Sequence, residues 1–595
     1  MKRSLGVGAG LLSVLAVLAG CGGGGGDTAL QTVPSTPYTP SDDVMTCKPG
    51  ADVTGVWKTI ANNGTYIPDS TYLTFFSYNQ PSINGTGLVV FRGRAKSATG
   101  DSGGSGGGGA MERGVFAVDA CLSGPKIYTV ADTNAAVPAP NSTSATYNEF
   151  PSIPRIDIDS GVLATRGQSA PVWTLADGTK VGTSGIYVEM PQGFMTGVGL
   201  LGNLSDFSYM QVPNAGASGV RFDQFPGSPT VTQGHYLAFK GNYTDGSTSK
   251  TGIYYRDLNV DGSAVHVIAD TNMTIPGTST TFGSTAPPSA AGGQVVFVGL
   301  DNEDAPTAGG IYLAAIADRP ALTALVQIGL TMVPDAAGAP LTGSPTFSQL
   351  GEALSFDGRY ISFWGAWGTQ DPNNMRQVTL TCPADGNDGM RAACLAQYPS
   401  GQTQKAVAIN QGIFVYDLQT GKVTMAARAG ATDMFQDFLY WVFSGHAATG
   451  GSGSGTSGPT DAEPPRWRSS AFTAVDSERG VLFKGSLSSA GGTTPPASGI
   501  YGAAYAGGVP GAVFKLIEVG DDMTVIDHAA PAGSAVTALG IEREGLRRGW
   551  LTLTASSLDP AGESWGGVYA TYFPSAFRVN GAVVPGAMPT LALGG

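Results

Sequence analysis

The chain reads as all-β, a β-propeller of seven four-stranded blades, with six or eight as the neighbouring counts. Three observations predict it. A Gly-aliphatic-aromatic triplet recurs seven times after residue 100, at Gly114-Val115-Phe116, Gly185-Ile186-Tyr187, Gly252-Ile253-Tyr254, Gly310-Ile311-Tyr312, Gly412-Ile413-Phe414, Gly499-Ile500-Tyr501 and Gly567-Val568-Tyr569. Ahead of the triplets stand β-branched or aromatic runs ending near Gly, among them LVVFRG (88–93), YLAFKG (236–241), QVVFVG (294–299), YISFWG (360–365) and GVLFKG (480–485). No helical apolar period separates these landmarks, so self-similarity over several tens of residues points to a radial array of short strands.

Each part of the repeat has a local reason. It opens on a Phe and a Pro/Ser-rich stretch, as in FPSI (150–153) and FPGSPTV (225–231). The second and third landmarks are rich in Val, Ile, Phe and Tyr, which suit a pleated, half-buried surface. The Gly before each aromatic fits a tight strand entry where a Cβ would clash. The fourth landmark is an aliphatic run closing on a turn and an aliphatic-Pro pair, as in YTVADTNAAVP (128–138) and HVIADTNMTIP (266–276). An extra copy, Gly55-Val56-Trp57, has no preceding partner and is the candidate segment for closing the ring.

One blade carries a family resemblance. Ser355-Phe356-Asp357-Gly358-Arg359-Tyr360-Ile361-Ser362-Phe363, followed by GIFVYDLQTGK (412–422), resembles the TolB-like propeller repeat. That repeat has a Ser-x-Asp-Gly turn, a strand, then an Ile-Tyr strand ending in an Asp-Leu turn. Other blades depart from it, with Asn84-Gly85 or Gly292-Gly293 at the turn. The resemblance implies the fold and no catalytic residue, since function on such scaffolds lies in grafted loops.

Residues 1–20 read as an export signal, Lys2 and Arg3 followed by LLSVLAVLAG. The run is short for a membrane span. It ends Leu18-Ala19-Gly20-Cys21, which resembles the lipobox of bacterial lipoproteins and implies Cys21 as the lipidated residue. Gly22 follows, where that family's inner-membrane retention signal is Asp, so the expected site is the outer membrane, on its periplasmic or outer face. Residues 21–45 are Gly-, Thr-, Pro- and Ser-rich and read as a flexible tether with a reach of about 25–30 Å. The propeller follows over residues 46–595, interrupted by insertions at 95–111, 366–411 and 446–465. The first and last insertions are Gly/Ser-rich, whereas 366–411 carries charges and two cysteines.

Hydrophobic residues make up 42% of the chain and charged ones 13%, which excludes a disordered polyelectrolyte. The net charge of −13 repels phosphate backbones, so no nucleic-acid partner is expected. With Cys21 assigned to lipid, Cys47, Cys121, Cys382 and Cys394 remain for disulfides in an exported chain. Locality pairs Cys382 with Cys394 and leaves Cys47 for Cys121, with four free thiols as the alternative. No zinc-ligand spacing occurs.

Chemical motifs are sparse. Gly100-Asp101-Ser102-Gly103-Gly104 resembles a trypsin-like nucleophile loop, but all four histidines (His235, His266, His446, His528) follow it, the wrong order for that triad. Residues 197–202 match GxGxxG but lead into NLSDFSYMQVP instead of a helix. Asp257, Asn259 and Asp261 open like a calcium loop, yet Ile268 stands where the bidentate Glu belongs, and a hairpin turn is the simpler reading. Asp301, Glu303 and Asp304 form a second oxygen-rich turn, so Ca²⁺ is the only cofactor the sequence offers. Trp364 and Trp367 are candidate stacking platforms for a sugar or protein partner, or fillers between blades. The expected function is binding or scaffolding at the cell envelope, for a protein or glycan partner, with the membrane reached through the lipid. The alternative is a propeller-fold hydrolase or lyase acting on extracellular polysaccharide.

Overall fold

The computed structural model describes residues 48–97, 112–139, 141, 145–171, 173–174, 178, 180–200, 211–216, 219–383, 388–430, 434–446, 463–487 and 498–574. The signal, the tether, Cys21, Cys47, the GDSGG stretch and most of the 95–111 and 446–465 insertions lie outside them. All described residues belong to one unit, Pro37–Gly595.

Alternating apolar strands pair as antiparallel meanders. Unit 1 runs Leu73–Tyr78, Leu88–Ser97, Glu112–Asp119 and Ile127–Asp132. Unit 2 is Tyr147–Glu149, Leu163–Ser169, Ser184–Met190 and Gly193–Leu200, and unit 3 is Phe222–Gln224, Tyr236–Asp245, Thr248–Asp257 and His266–Asp270. Unit 4 is Ser284–Thr285, Gln294–Leu300, Gly309–Ala315 and Thr323–Gln327. A longer sheet divides at the single parallel pairing of Ala429 with Phe435 into two more units. Unit 5 is Phe347–Leu350, Tyr360–Trp367, Gln411–Asp417 and Lys422–Ala429, and unit 6 is Phe435–Asp437, Gly480–Leu487, Ser498–Ala506 and Val509–Glu518. Unit 7 takes Ala535–Gly540, Trp550–Leu558 and Ser564–Tyr572 from the C-terminal part of the chain. Its fourth strand is Lys58–Asn62 from the N-terminal part. The orphan Gly55-Val56-Trp57 therefore leads directly into a closing strand, in the fourth-strand place instead of the third-strand place its sequence resembles.

The triplet glycines have a steric cause. Opposite each of the seven triplets the fourth strand carries a bulge, for example between Val115 and Phe116 or Ile413 and Phe414, and at Thr59/Ala61 opposite Val568 and Tyr569. The extra residue drives a carbonyl over the glycine: a Cβ on Gly412 would lie 3.0 Å from the Ala427 oxygen. Gly412 pairs across the sheet with Gly365, whose own Cβ would lie 2.7 Å from the Phe347 ring. That ring meets Phe414 edge-on at 4.9 Å. The same stack recurs in unit 1 as Phe75 on Phe116 at 4.9 Å over Gly93 and Gly114.

The Pro/Ser-rich stretch proves to be a break inside the first strand. Each first strand divides and resumes as a short inner half, and in units 2, 3 and 4 Pro154, Pro229 and Pro288, which cannot donate to the ladder, stand at the break. The halves are Ser82–Ile83, Arg155–Ile156, Thr230–Thr232, Ser289–Ala291, Ser355–Phe356, Thr473–Asp476 and Leu546–Arg547. Each packs on the next in chain order, and the last packs on the first. At the turns that follow, one unit clasps its neighbour. Asp157 accepts the Gly234 amide at 2.7 Å, Asp357 the Ser477 amide at 2.5 Å, and Asp476 the Gly549 amide at 2.6 Å. The Asp of the Ser-x-Asp-Gly turn is thus an inter-unit fastener.

In such a meander, second-to-third and fourth-to-first connections leave at one end. The 366–411 insertion is a second-to-third connection and stands on that face. Residues 366–411 form a hairpin, Met375–Thr381 with Gln402–Ala408, that carries helix α1 (Asp388–Gln397) at its tip. The helix was not expected from the sequence. A Cys382–Cys394 disulfide, Cα atoms 5.8 Å apart, ties the hairpin to it. Around the 446–465 stretch a second hairpin, Tyr440–His446 with Glu463–Ser470, rises from the first-strand break of unit 6.

Candidate functional site

The axis of the ring is occupied by the break of unit 7, GIEREGLRRG (540–549). In a chain so sparing of charge, Glu542, Arg543, Glu544 and Arg547 are all buried here, joined by Arg155. Buried charges need partners, and here ion pairs serve Arg155, Glu542 and Arg543 while hydrogen bonds serve Glu544 and Arg547. Arg155 Nη2 lies 2.5 Å from Glu542 Oε1, and Arg543 Nε lies 3.4 Å from the same oxygen. Thr230 donates to Glu544 Oε1 at 3.1 Å. Arg543 donates to the Pro287 carbonyl at 3.0 Å and Arg547 to the Val475 carbonyl at 3.3 Å. Ser355 donates to the Arg543 carbonyl, and the Ile83 amide to the Glu544 carbonyl at 3.0 Å. One segment thereby bonds to all six other units. Burial lowers Arg543 to about 10 and pushes Arg547 down, while burial raises Glu544 against the pull of Arg155 and Arg547. This hub is a fastening. Its charged groups face one another and the surrounding backbone.

The insertion face differs. Helix α1 and the second hairpin pack around Cys382, Cys394 and Phe443, with Tyr398 and Trp467 against them. The Phe443 and Trp467 rings meet at 5.4 Å and 71°. The two insertions thus form one cap stapled by a disulfide, and Leu395 and Val442 remain exposed on it at 39% and 56%. Arg466 reaches from the second hairpin to Glu303 of unit 4 at 3.2 Å. Between units 3 and 4 a polar cleft of about 500 Å³ opens, lined by Asp223, Lys240, Asn242, Ser284 and Glu303 among others.

The root of the second hairpin holds a lysine with no carboxylate against it among the described residues. Lys484 Nζ sits 3.9 Å from the centroid of the Tyr440 ring and 5.9 Å from that of Phe472. Burial lowers its pKa to about 8. A base lowered in the fold costs stability most where it is charged in both states, below about pH 8, and the cost fades towards the unfolded value near 10.4. Lys484→Met should therefore melt at a higher temperature than the parent at pH 7, by on the order of 1–3 kcal/mol after loss of the cation–π attraction. The gap should shrink between pH 8 and 10.4 in melts run across that range. A gap independent of pH would show that the lysine is solvated.

The residues singled out in the sequence fall in separate places. Trp364 and Trp367 are each 5% exposed, so neither offers a ring face to solvent. Trp364 donates to Gln411 Oε1 at 2.7 Å, and Trp367 packs on Phe414. Asp257 accepts the Asn259 amide at 3.0 Å in an ordinary turn beside Asp261. Asp301 is pushed up by burial, but hydrogen bonds from Thr307 and Ala308 outweigh this and hold it below the usual range. Glu303 pairs with Arg466, and the Asp304 amide donates to Asn302. Among the described residues, no group of three His, Cys, Asp or Glu side chains is placed to hold a metal. Cys121 is disulfide-bonded to a residue outside the described set. The hub, the second hairpin and the cleft were all missed. For the hub a signal existed, the density of charge at 542–548.

No family model matches the chain, and no curated protein does. Solved structures align with it only loosely. The β-propeller domain of the Trilobed protease from Pyrococcus furiosus aligns at 10% identity and TM-score 0.33, covering 83% of this chain and 94% of that one. The acylaminoacyl peptidase from Pyrococcus horikoshii aligns at 10% identity and TM-score 0.30, covering 82% and 50%. A family 117 glycoside hydrolase from Zobellia galactanivorans aligns at 11% identity and TM-score 0.24, covering 60% and 90%. Likeness of this order says nothing about what the chain binds or does. By its own strand order, the chain is a β-propeller.

Proposed function

We propose that this protein is an envelope-anchored binding module. Lipid on Cys21 tethers a closed ring of seven blades, and the disulfide-stapled cap on one face takes a partner. The observation that carries this reading is the cap itself. Two insertions from neighbouring units converge on a shared apolar nucleus that the ring does not need for closure, and they leave Leu395 and Val442 exposed. Ordered insertions on a rigid scaffold are where function concentrates. An active site in the channel would need titratable groups open to solvent there, and the axis is filled by the paired charges of the hub.

The test is photocrosslinking in the producing cells with a reactive residue at position 395 or 442. The parent chain should give a discrete adduct at the membrane. Removing residues 383–401 and joining the hairpin directly should abolish the adduct and leave the melting temperature of the ring unchanged. Cys21→Ser should shift the protein from the membrane to the soluble exported fraction. A cap-deleted chain that crosslinks at 442 as before would overturn the reading.

A further inference from the structure

The seam of units 1 and 2 gathers three guanidinium groups on one carboxylate. Arg94 and Arg113 are direct cross-strand partners, next to the paired glycines Gly93 and Gly114. Each reaches Glu149 Oε2 of unit 2 at 3.1 Å, and Arg92 Nη1 stands 3.9 Å from Glu149 Oε1. Like charges directly opposite each other on a sheet are destabilising. The repeat does not ask for them. At the same cross-strand place the other six units carry uncharged residues, for example Asn242 with Thr251 and Ser486 with Ser498.

The one acid does not balance the cluster. Arg92 and Arg94 have no other carboxylate within ion-pair distance among the described residues, so they outnumber Glu149 before Arg113 is counted. Glu112, the neighbour of Arg113 in sequence, points to the opposite sheet face and lies against Asp132. Donors are left over as well. Arg94 spends Nη2 on Glu149, and Arg92 spends Nη1 on the Phe150 carbonyl at 2.9 Å. Arg94 Nη1 and Arg92 Nη2 have no acceptor among the described residues. The Arg94 and Arg113 side chains are 33% and 34% exposed, so a solute reaches them.

We propose that this seam binds a phosphate monoester, whose oxygens accept from Arg92, Arg94 and Arg113. A tetrahedral dianion offers three oxygens to the planar forks of arginine, which match phosphate geometry. A carboxylate ligand would bring one charge and two oxygens, no more than Glu149 already supplies. The surplus is local, and the net charge of −13 still repels an extended polyanion. The ester can be carried by a soluble compound or by a lipid headgroup. The site is separate from the cap and does not depend on it.

Calorimetric titration of the full chain at constant ionic strength with methyl phosphate, dimethyl phosphate and acetate tests this. At about pH 8 the monoester carries two charges and should bind, with the other two about tenfold weaker or more. Arg94→Gln and Arg113→Gln should each weaken methyl phosphate binding by about tenfold. Glu149→Gln should strengthen it, because the competing carboxylate is gone, and a misfolded variant cannot gain affinity. The Cys21→Ser chain mixed with phosphatidylcholine vesicles containing phosphatidic acid separates the two sources. Capture that methyl phosphate reverses supports a headgroup, and binding of methyl phosphate without capture supports a soluble ester. No binding of methyl phosphate, equal binding of dimethyl phosphate, indifference to both arginine substitutions, or weaker binding in Glu149→Gln would refute the proposal.

Discussion

Arg155→Met should cost the protein about 3–5 kcal/mol of unfolding free energy, the size expected when one member of a buried ion pair is removed. Arg155 is 2% exposed and faces Glu542 across the axis, with Glu544 close enough to feel its charge. Without it two carboxylates remain in a dry site, and the segment that bonds to every other unit loses its buried ion pair to unit 2 and keeps the exposed Arg548–Asp159 pair. The double variant Arg155→Met, Glu542→Met should recover much of the loss, because a packed apolar pair has no charge to desolvate. Denaturant titrations of the two single variants and the double close the cycle. The pH profile adds a sign. Burial raises Glu544 in the fold, so its contribution to stability falls as pH climbs from the unfolded value near 4.3 through the folded one. Glu149 is opposite in sense. Burial pushes it up, but Arg92, Arg94 and Arg113 pull it lower overall, so its contribution is present above the unfolded value and is lost as pH falls through the folded one. Glu544→Gln should therefore flatten the decline on the side above pH 4.3 and leave the acid limb in place. A loss below about 1 kcal/mol in Arg155→Met would mean that water reaches the hub.

The difference between what the sequence disclosed and what it hid follows from periodicity. A steric conflict repeated in every unit leaves the same residue in every unit, so Gly412 and its counterparts announce the third strand. The Phe347-type ring over Gly365 announces the second. The hub occurs once. Glu542 to Arg547 break the repeat at the place where one unit must differ from the rest, and a reading tuned to repetition passes over it. The strand Glu463–Ser470 begins with Pro464 and Pro465, which argue against a ladder, and it is flanked by a Gly/Ser tract that masks its hairpin. Helix α1 has seven good helix formers among its ten residues, but Gly389 near its start and a proline and glycine just before it give the segment the look of a loop. The cleft was beyond reach for a different reason. Its lining comes from two units, and only the fold brings Lys240 and Ser284 to one cleft.

Removing the closing strand should change the assembly state of the protein as well as its stability. Lys58–Asn62 covers the edge of Ser564–Tyr572, with Lys58 opposite Ala570 and Asn62 opposite Gly567. It is latched at both ends. Lys58 donates to the Ala120 and Leu122 carbonyls of unit 1 at 3.1 and 2.5 Å. Asn62 donates at 3.0 Å to Asp527, which also accepts from Trp565 and Tyr569. A chain that begins at Thr65 leaves Asp527 short of a donor, uncovers Val568 and Ala570, and presents an unpaired strand edge, the template on which chains aggregate. The full-length ring should unfold in one cooperative step as a single species. The truncated chain should melt at lower temperature and form dimers and larger species on gel filtration. A synthetic peptide of residues 48–64 should restore both properties by pairing in trans, as an added strand does at other free edges. Asp527→Ala offers a milder form of the same experiment, because it leaves four side-chain donors at the latch, on Thr59, Asn62, Trp565 and Tyr569, without their acceptor, each worth about 1–3 kcal/mol when buried. If the truncated chain stays a single species and melts with the parent, the N-terminal strand is an ornament on a ring closed by other means.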